Sequence, residues 1–216
     1  MYEYLVGDFL FLAIWLYLYN NRKDLRNAMW FSSCLCLPLA ISDYFFIPDY
    51  WNPETLFGLK PGIESFLFAF CIGGISAALY KTYSGEKLKK MKKSNRHGSI
   101  LLAVMFITML LMNLIFKVDL IYDGHATMLL GGVTIMLLRR DLIKDSLCGG
   151  LLFLGLYFLI LLSFEYILFP GIIERTWTLQ NPLFPKVVGL PMEELLWALT
   201  FGLVWSPIYQ VVENYR

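Results

Sequence analysis

Apolar residues dominate the chain in long runs, separated by short polar connections. Seven runs are of membrane-spanning length, about 4–20, 28–47, 62–83, 98–116, 122–138, 147–169 and 190–212. Polar connections of a few residues leave no room for a separate soluble domain. The pattern predicts an all-α integral membrane protein with seven transmembrane helices. The first run has no basic leader and no small-residue cleavage pattern, so it is read as a helix rather than a secretory signal.

The runs form two sets. "RKDL" at 22–25 returns as "RRDL" at 139–142, and Gly7-Asp8 returns as Gly124-His125, both shifted by 117 residues. "DYFFIP" from Asp43 returns, shifted by 122, as "EYILFP" from Glu165. Asn52-Pro53 returns as Asn181-Pro182, and a shift of 129 places Glu64 on Glu193. The shared order of these matches predicts an internal repeat. Spans one to three (residues 1–83) and five to seven (118–216) form two parallel three-helix repeats. A basic loop and linking helix (84–117) join them and carry the chain back across the membrane.

Composition supports the membrane reading, with 58% hydrophobic and 16% charged residues in 216. A net charge of +1 conceals an asymmetry. Lys and Arg gather in the connections after spans one, three and five, so the positive-inside rule predicts a multi-pass cell-membrane protein with an external N-terminus and a cytoplasmic C-terminus. The polybasic loop 86–96 is read as a topology signal rather than a nucleic-acid site; membrane lipids are the expected surroundings. Cys34, Cys36, Cys71 and Cys148 lack metal-ligand spacing, and the glycine pairs build no nucleotide-binding loop, so no metal and no cofactor is expected.

The candidate chemistry lies in the acids. Asp43 and Glu165 fall near the outer ends of spans two and six, Glu64 and Glu193 open spans three and seven, and Glu194 follows about 100° further round the helix. Asp8 and His125 begin spans one and five at the same depth. A charge in the bilayer costs roughly 2.5–3.5 kcal/mol, so repeated acids at one level point to a function or a polar network. Helix capping is the competing reading for Glu193 and Glu194, which follow Pro191 in a first turn. For His125 a hydrogen-bonded helix-end role is the favoured reading, and for Trp51 and Trp177 interfacial anchoring comes first.

On these residues the sequence resembles the membrane-embedded lycopene cyclases of the heterodimeric or fused type. Their domain is a three-helix repeat with an acid in the second helix, a Trp-containing loop, Asn or Asp before Pro, and Pro-x-Glu-Glu opening the third helix. The second unit carries Glu165, Trp177, Asn181-Pro182 and "PMEE" at 191–194; the first carries Asp43, Trp51, Asn52-Pro53 and "GIES" at 62–65. The first unit departs from the pattern at Gly62 and Ser65. The resemblance implies acid-catalysed, non-redox cyclisation of an apolar polyene through a carbocation. It implies Glu193, Glu194, Glu165, Asp43 and Glu64 as catalytic candidates, and Asn52, Asn181, Trp51, Trp177, Trp197 and His125 as substrate-binding candidates. Such chemistry pairs a desolvated carboxylic acid with a carboxylate, and the faces of Phe66, Phe68, Trp197 and Phe201 are available to a cation, although helical spacing also suits packing. A rhodopsin-like receptor is excluded because span seven has no Lys. A transporter or proton-coupled carrier with paired intramembrane carboxylates is the alternative.

Overall fold

The computed structural model describes residues 3–91, 97–115, 119–178 and 185–216. They are mostly helical. The helices are α1 (Glu3–Asn21), α2 (Arg26–Cys36), α3 (Asp43–Phe46), α4 (Ile63–Ser84), α5 (His97–Leu110), α6 (Leu120–Leu138), α7 (Ile143–Ser163), α8 (Ile172–Thr176), α9 (Met192–Trp205) and α10 (Ile208–Glu213). Among the described residues, six helical stretches are long and apolar enough to cross a membrane: Lys23–Phe46, Ile63–Ser84, His97–Ile115, Leu120–Leu138, Arg140–Leu168 and Met192–Glu213. The expected count was seven. The missing member, α1, is a helix of 19 residues, but Asp8, Asn20 and Asn21 dilute its apolarity.

The packing puts α4 and α9 at the centre. Helix α4 packs on α1, α2 and α7, and α9 on α6 and α7. Small residues let these helices approach closely. A Cβ on Gly202 would lie 2.7 Å from the Gly150 backbone, and one on Gly73 would lie 2.6 Å from the Ser32 carbonyl oxygen. Outward positions carry large apolar side chains such as Phe106, Leu137, Leu151 and Leu159, all more than half exposed. That surface suits lipid and not water. The chain is a membrane protein.

The repeated Arg-x-Asp-Leu segments perform one task twice. Each follows a long helix and forms a single 3-10 turn, Lys23–Leu25 and Arg140–Leu142. Arg22 grips both oxygens of Asp24 at 2.9–3.0 Å and donates to the carbonyls of Lys81 and Glu86. Arg139 grips Asp141 at 2.8–2.9 Å and donates to the carbonyls of Gln210 and Tyr215. Each guanidinium thereby satisfies carbonyls that the end of a later helix leaves open.

Below Arg22 and Arg139, Lys81 bridges Asp145 and Glu86, both at 2.8 Å, and Gln210 donates to Asp145 at 2.7 Å. The buried Lys81–Asp145 ion pair and the two Arg-x-Asp-Leu turns therefore gather at one end of the bundle, and the buried acids of the candidate site at the other. One element was not expected: Lys186–Val187 and Leu190–Pro191 form a minimal antiparallel hairpin directly before α9. Its turn uses Gly189 at φ 76°.

Candidate active site

The chain segments that precede α4 and α9 meet over the acid-rich end. Asn52 N–H donates to the Thr176 carbonyl at 2.7 Å and Thr178 N–H to the Tyr50 carbonyl at 2.8 Å. This antiparallel bridge sets Trp51 opposite Trp177, with ring centroids 5.9 Å apart. Asn52 itself is exposed and takes part through its backbone. Asn181 lies outside the described residues.

Beneath the bridge is a continuous aromatic cluster. Tyr4 meets Trp51 edge-on at 4.9 Å, Phe11 meets Phe68 at 5.3 Å, and Phe68 stacks on Trp197 at 6.1 Å. Trp197 in turn lies 5.5 Å from Tyr157 and 5.2 Å from Phe201. Periodicity explains the alignment, since Trp197 and Phe201 are four residues apart on α9 and Glu64 and Phe68 four apart on α4. Phe66 points elsewhere and is exposed.

Glu194 closes one side of the cluster. It is buried, and both of its oxygens accept hydrogen bonds, from Tyr157 Oη at 2.7 Å and from Trp177 Nε1 at 3.0 Å. Tyr50 is the third aromatic neighbour. Burial first, and then the Glu194 charge beside it, raise the Tyr50 phenol above its ordinary pKa. Glu194 thus sits among three rings with no Lys or Arg against it among the described residues, and its two fixed donors suit a carboxylate held ready for a cation.

Glu193, one residue earlier, faces a different helix. Tyr122 Oη on α6 lies 3.4 Å from its Oε1, and His125 Nε2 lies 2.8 Å from its main-chain carbonyl. The His125 ring also contacts the Ile121 carbonyl and so ties α6 to the start of α9. The 100° rotation per residue explains why two adjacent glutamates address different neighbours.

The opposite side of the cluster is built from the first half of the chain. Asp43 is buried and accepts from Ser65 Oγ, the residue in the place of the second Glu of the motif. Glu64 is 2% exposed and accepts from Leu56 N–H at 2.5 Å. Tyr4 lies within electrostatic reach of Asp8, Asp43 and Glu64 together. Asp43, Glu64 and Asp8 of the first half thus form one bank of acids beside the cluster, and Glu194 of the second half forms the other. Glu165 joins neither. It is partly exposed, and its Oε2 accepts the Ile173 N–H at 3.0 Å and so caps the short helix α8.

Sequence reasoning missed Tyr157, Tyr50, Tyr4 and Ser65. A hydroxyl in the otherwise apolar run of α7 was the available signal for Tyr157, because a buried phenol requires a partner. A lipid-facing groove of about 500 Å³ between α7 and α9, lined by Leu154, Gly155, Phe158, Leu195 and Leu199, lies on the reverse side of α9 from Glu194 and Trp197. It is separate from the acid-bearing face.

Residues 119–212 match the family described as lycopene cyclase. The match runs from the residue before α6 into α10, so it contains Glu165, Trp177, Glu193, Glu194 and Trp197. Over these residues the chain is similar to that family. Asp8, Asp43, Trp51 and Glu64 lie outside the matched residues. No curated protein and no solved structure gives a significant match.

Proposed function

We propose that the protein is an intramembrane carotenoid cyclase that closes a ring at the end of a lycopene-type polyene. The observation that carries this reading is Glu194, held by Tyr157 and Trp177 at the edge of the aromatic cluster inside the residues similar to the lycopene cyclase family. The reaction is an isomerisation. A carboxylic acid protonates the terminal double bond, the neighbouring double bond attacks the cation to close the ring, and a carboxylate removes a ring proton. Trp197, Phe68 and Tyr157 present π-faces to the cation. Glu194 stabilises it and accepts the proton, and Tyr157 and Trp177 hold both carboxylate oxygens in place.

The first half supplies the other bank of acids, Asp43 and Glu64, in a second copy of the three-helix unit. Glu193 has a supporting role: with His125 it fixes the start of α9 against α6, so that Glu194 points into the cluster. Glu165 orders the segment that leads to Trp177. Seven crossings, with α1 as the first, place the acid-rich end outside and the basic end in the cytoplasm. The two Arg-x-Asp-Leu turns at one end and the Trp51–Trp177 bridge at the other support this arrangement.

Expression in a lycopene-accumulating host tests the proposal. Conversion of lycopene to a cyclised pigment, abolished by Glu194→Gln, is expected. Unchanged pigment together with ion-dependent flux in proteoliposomes would overturn it in favour of a carrier.

A further inference from the structure

Asp8 is completely buried, and neither carboxylate oxygen has a hydrogen-bond partner among the described residues. It lies on the inward stripe of α1 with Tyr4, Phe11 and Trp15, at the i, i+4, i+7, i+11 spacing of a single helix face. Tyr4 and Phe11, on either side of it, both contact Phe68 in the aromatic cluster. Across from it on α4 stand Glu64 and Cys71. One oxygen of Glu64 is likewise buried without a partner. Asp8 occupies on α1 the place that His125 occupies on α6, opposite the acid that opens the third helix of its half.

A structural carboxylate inside a protein gathers donors, as Asp145 does from Lys81 and Gln210. Asp8 has gathered none among the described residues. An ionised carboxylate without donors in an apolar interior is very costly, whereas a carboxylic acid there is tolerated and carries a transferable proton. We infer that Asp8 is the proton donor of the site, with Glu194 as the acceptor. This rests on the cyclase reading and adds the residue that starts the reaction.

The step balances without an oxidant or reductant. The Asp8 O–H bond breaks as a C–H bond forms at the terminal alkene carbon. The adjacent alkene attacks the resulting cation to make the ring C–C bond, and a ring C–H bond then yields its proton to Glu194. Tyr157 donates to Glu194 and lies near Tyr4, which lies near Asp8. Between turnovers Glu194 gives up its proton and Asp8 regains one, so the reaction consumes no net proton. The roles divide according to partners: Glu194 has two donors and receives, and Asp8 has none and gives.

The test uses the full chain in lipid nanodiscs, with infrared difference spectra between H2O and D2O and turnover of lycopene. The resting protein should show the carbonyl band of a buried carboxylic acid. Asp8→Asn should remove it, and Glu194→Gln should leave it. Turnover in Asp8→Asn should fall about 100-fold or more with the melting temperature unchanged, and Asp8→Glu should restore part of it. A band that survives in Asp8→Asn, or Asp8→Asn turnover within about tenfold of wild type while Glu194→Gln is inactive, would overturn the assignment and leave the cyclase reading intact. A wild-type protein that makes no cyclised pigment would remove the cyclase reading and the donor role with it. If Asp8→Asn does not fold, the band in Asp8→Glu decides: a shifted frequency supports the assignment and an unmoved one refutes it.

Discussion

Trp51 and Trp177 are joined twice, by a backbone bridge and by a ring contact at 5.9 Å, although they come from opposite halves of the chain. Trp177 also donates to Glu194. The loop of the first half therefore helps to set the acid of the second.

Replacing Glu194 with Gln keeps the shape and removes the carboxylate. Turnover should fall by about 10²–10⁴ while the melting temperature holds. Tyr157→Phe removes one of its two donors and should cost less. Pigment analysis and thermal melting of both variants measure this.

Glu193→Gln should be milder than Glu194→Gln, because Glu193 faces Tyr122 and the α6 side and not the cluster. Equal loss of turnover in the two variants, at equal melting temperature, would place Glu193 in the chemistry as well.

Lys81 is buried between Asp145 and Glu86. Lys81→Met leaves Asp145 without its ion pair and should destabilise the fold by about 3–5 kcal/mol. Lys81→Met combined with Asp145→Leu should recover much of that loss, measured by thermal or denaturant unfolding in detergent.

Gly74 lies where an added Cβ would collide with the Trp15 indole and the Ser33 hydroxyl, which are hydrogen-bonded at 3.0 Å. Gly74→Ala should cost about 1–3 kcal/mol through overpacking. A fall in melting temperature without loss of the Glu194 chemistry per folded molecule is the expected signature.

Topology is open to direct labelling. In a background without native cysteines, Lys89→Cys should react only from the cytoplasmic face and Asn52→Cys only from the outside. Labelling of both from one face would refute the seven-crossing arrangement.

Much of this fold was legible from where polar residues interrupt apolar runs. The helix at 63–84 and the one that starts at 192 follow the runs closely, because in lipid a backbone must satisfy itself and the helix is the available form. The acids were legible as expensive residues, but their grouping was not. Glu193 and Glu194 are adjacent in the chain, and the neighbours they face depend on helix rotation and tertiary packing. Glu165 matched a motif position, yet its carboxylate caps the turn before Trp177. Repeats locate equivalent positions but do not guarantee equivalent use.

The unlike banks of the aromatic cluster bear on how a symmetrical molecule would be handled. Lycopene has two identical ends, while Ser65 stands where the matching position of the other half has Glu194. On the proposed function the two unlike banks give the site a direction. A substrate cyclised at one end must withdraw, reverse and bind again to react at the other. The product closed at one end should therefore build up early in a time course, and dilution of the protein in the bilayer should prolong its lifetime.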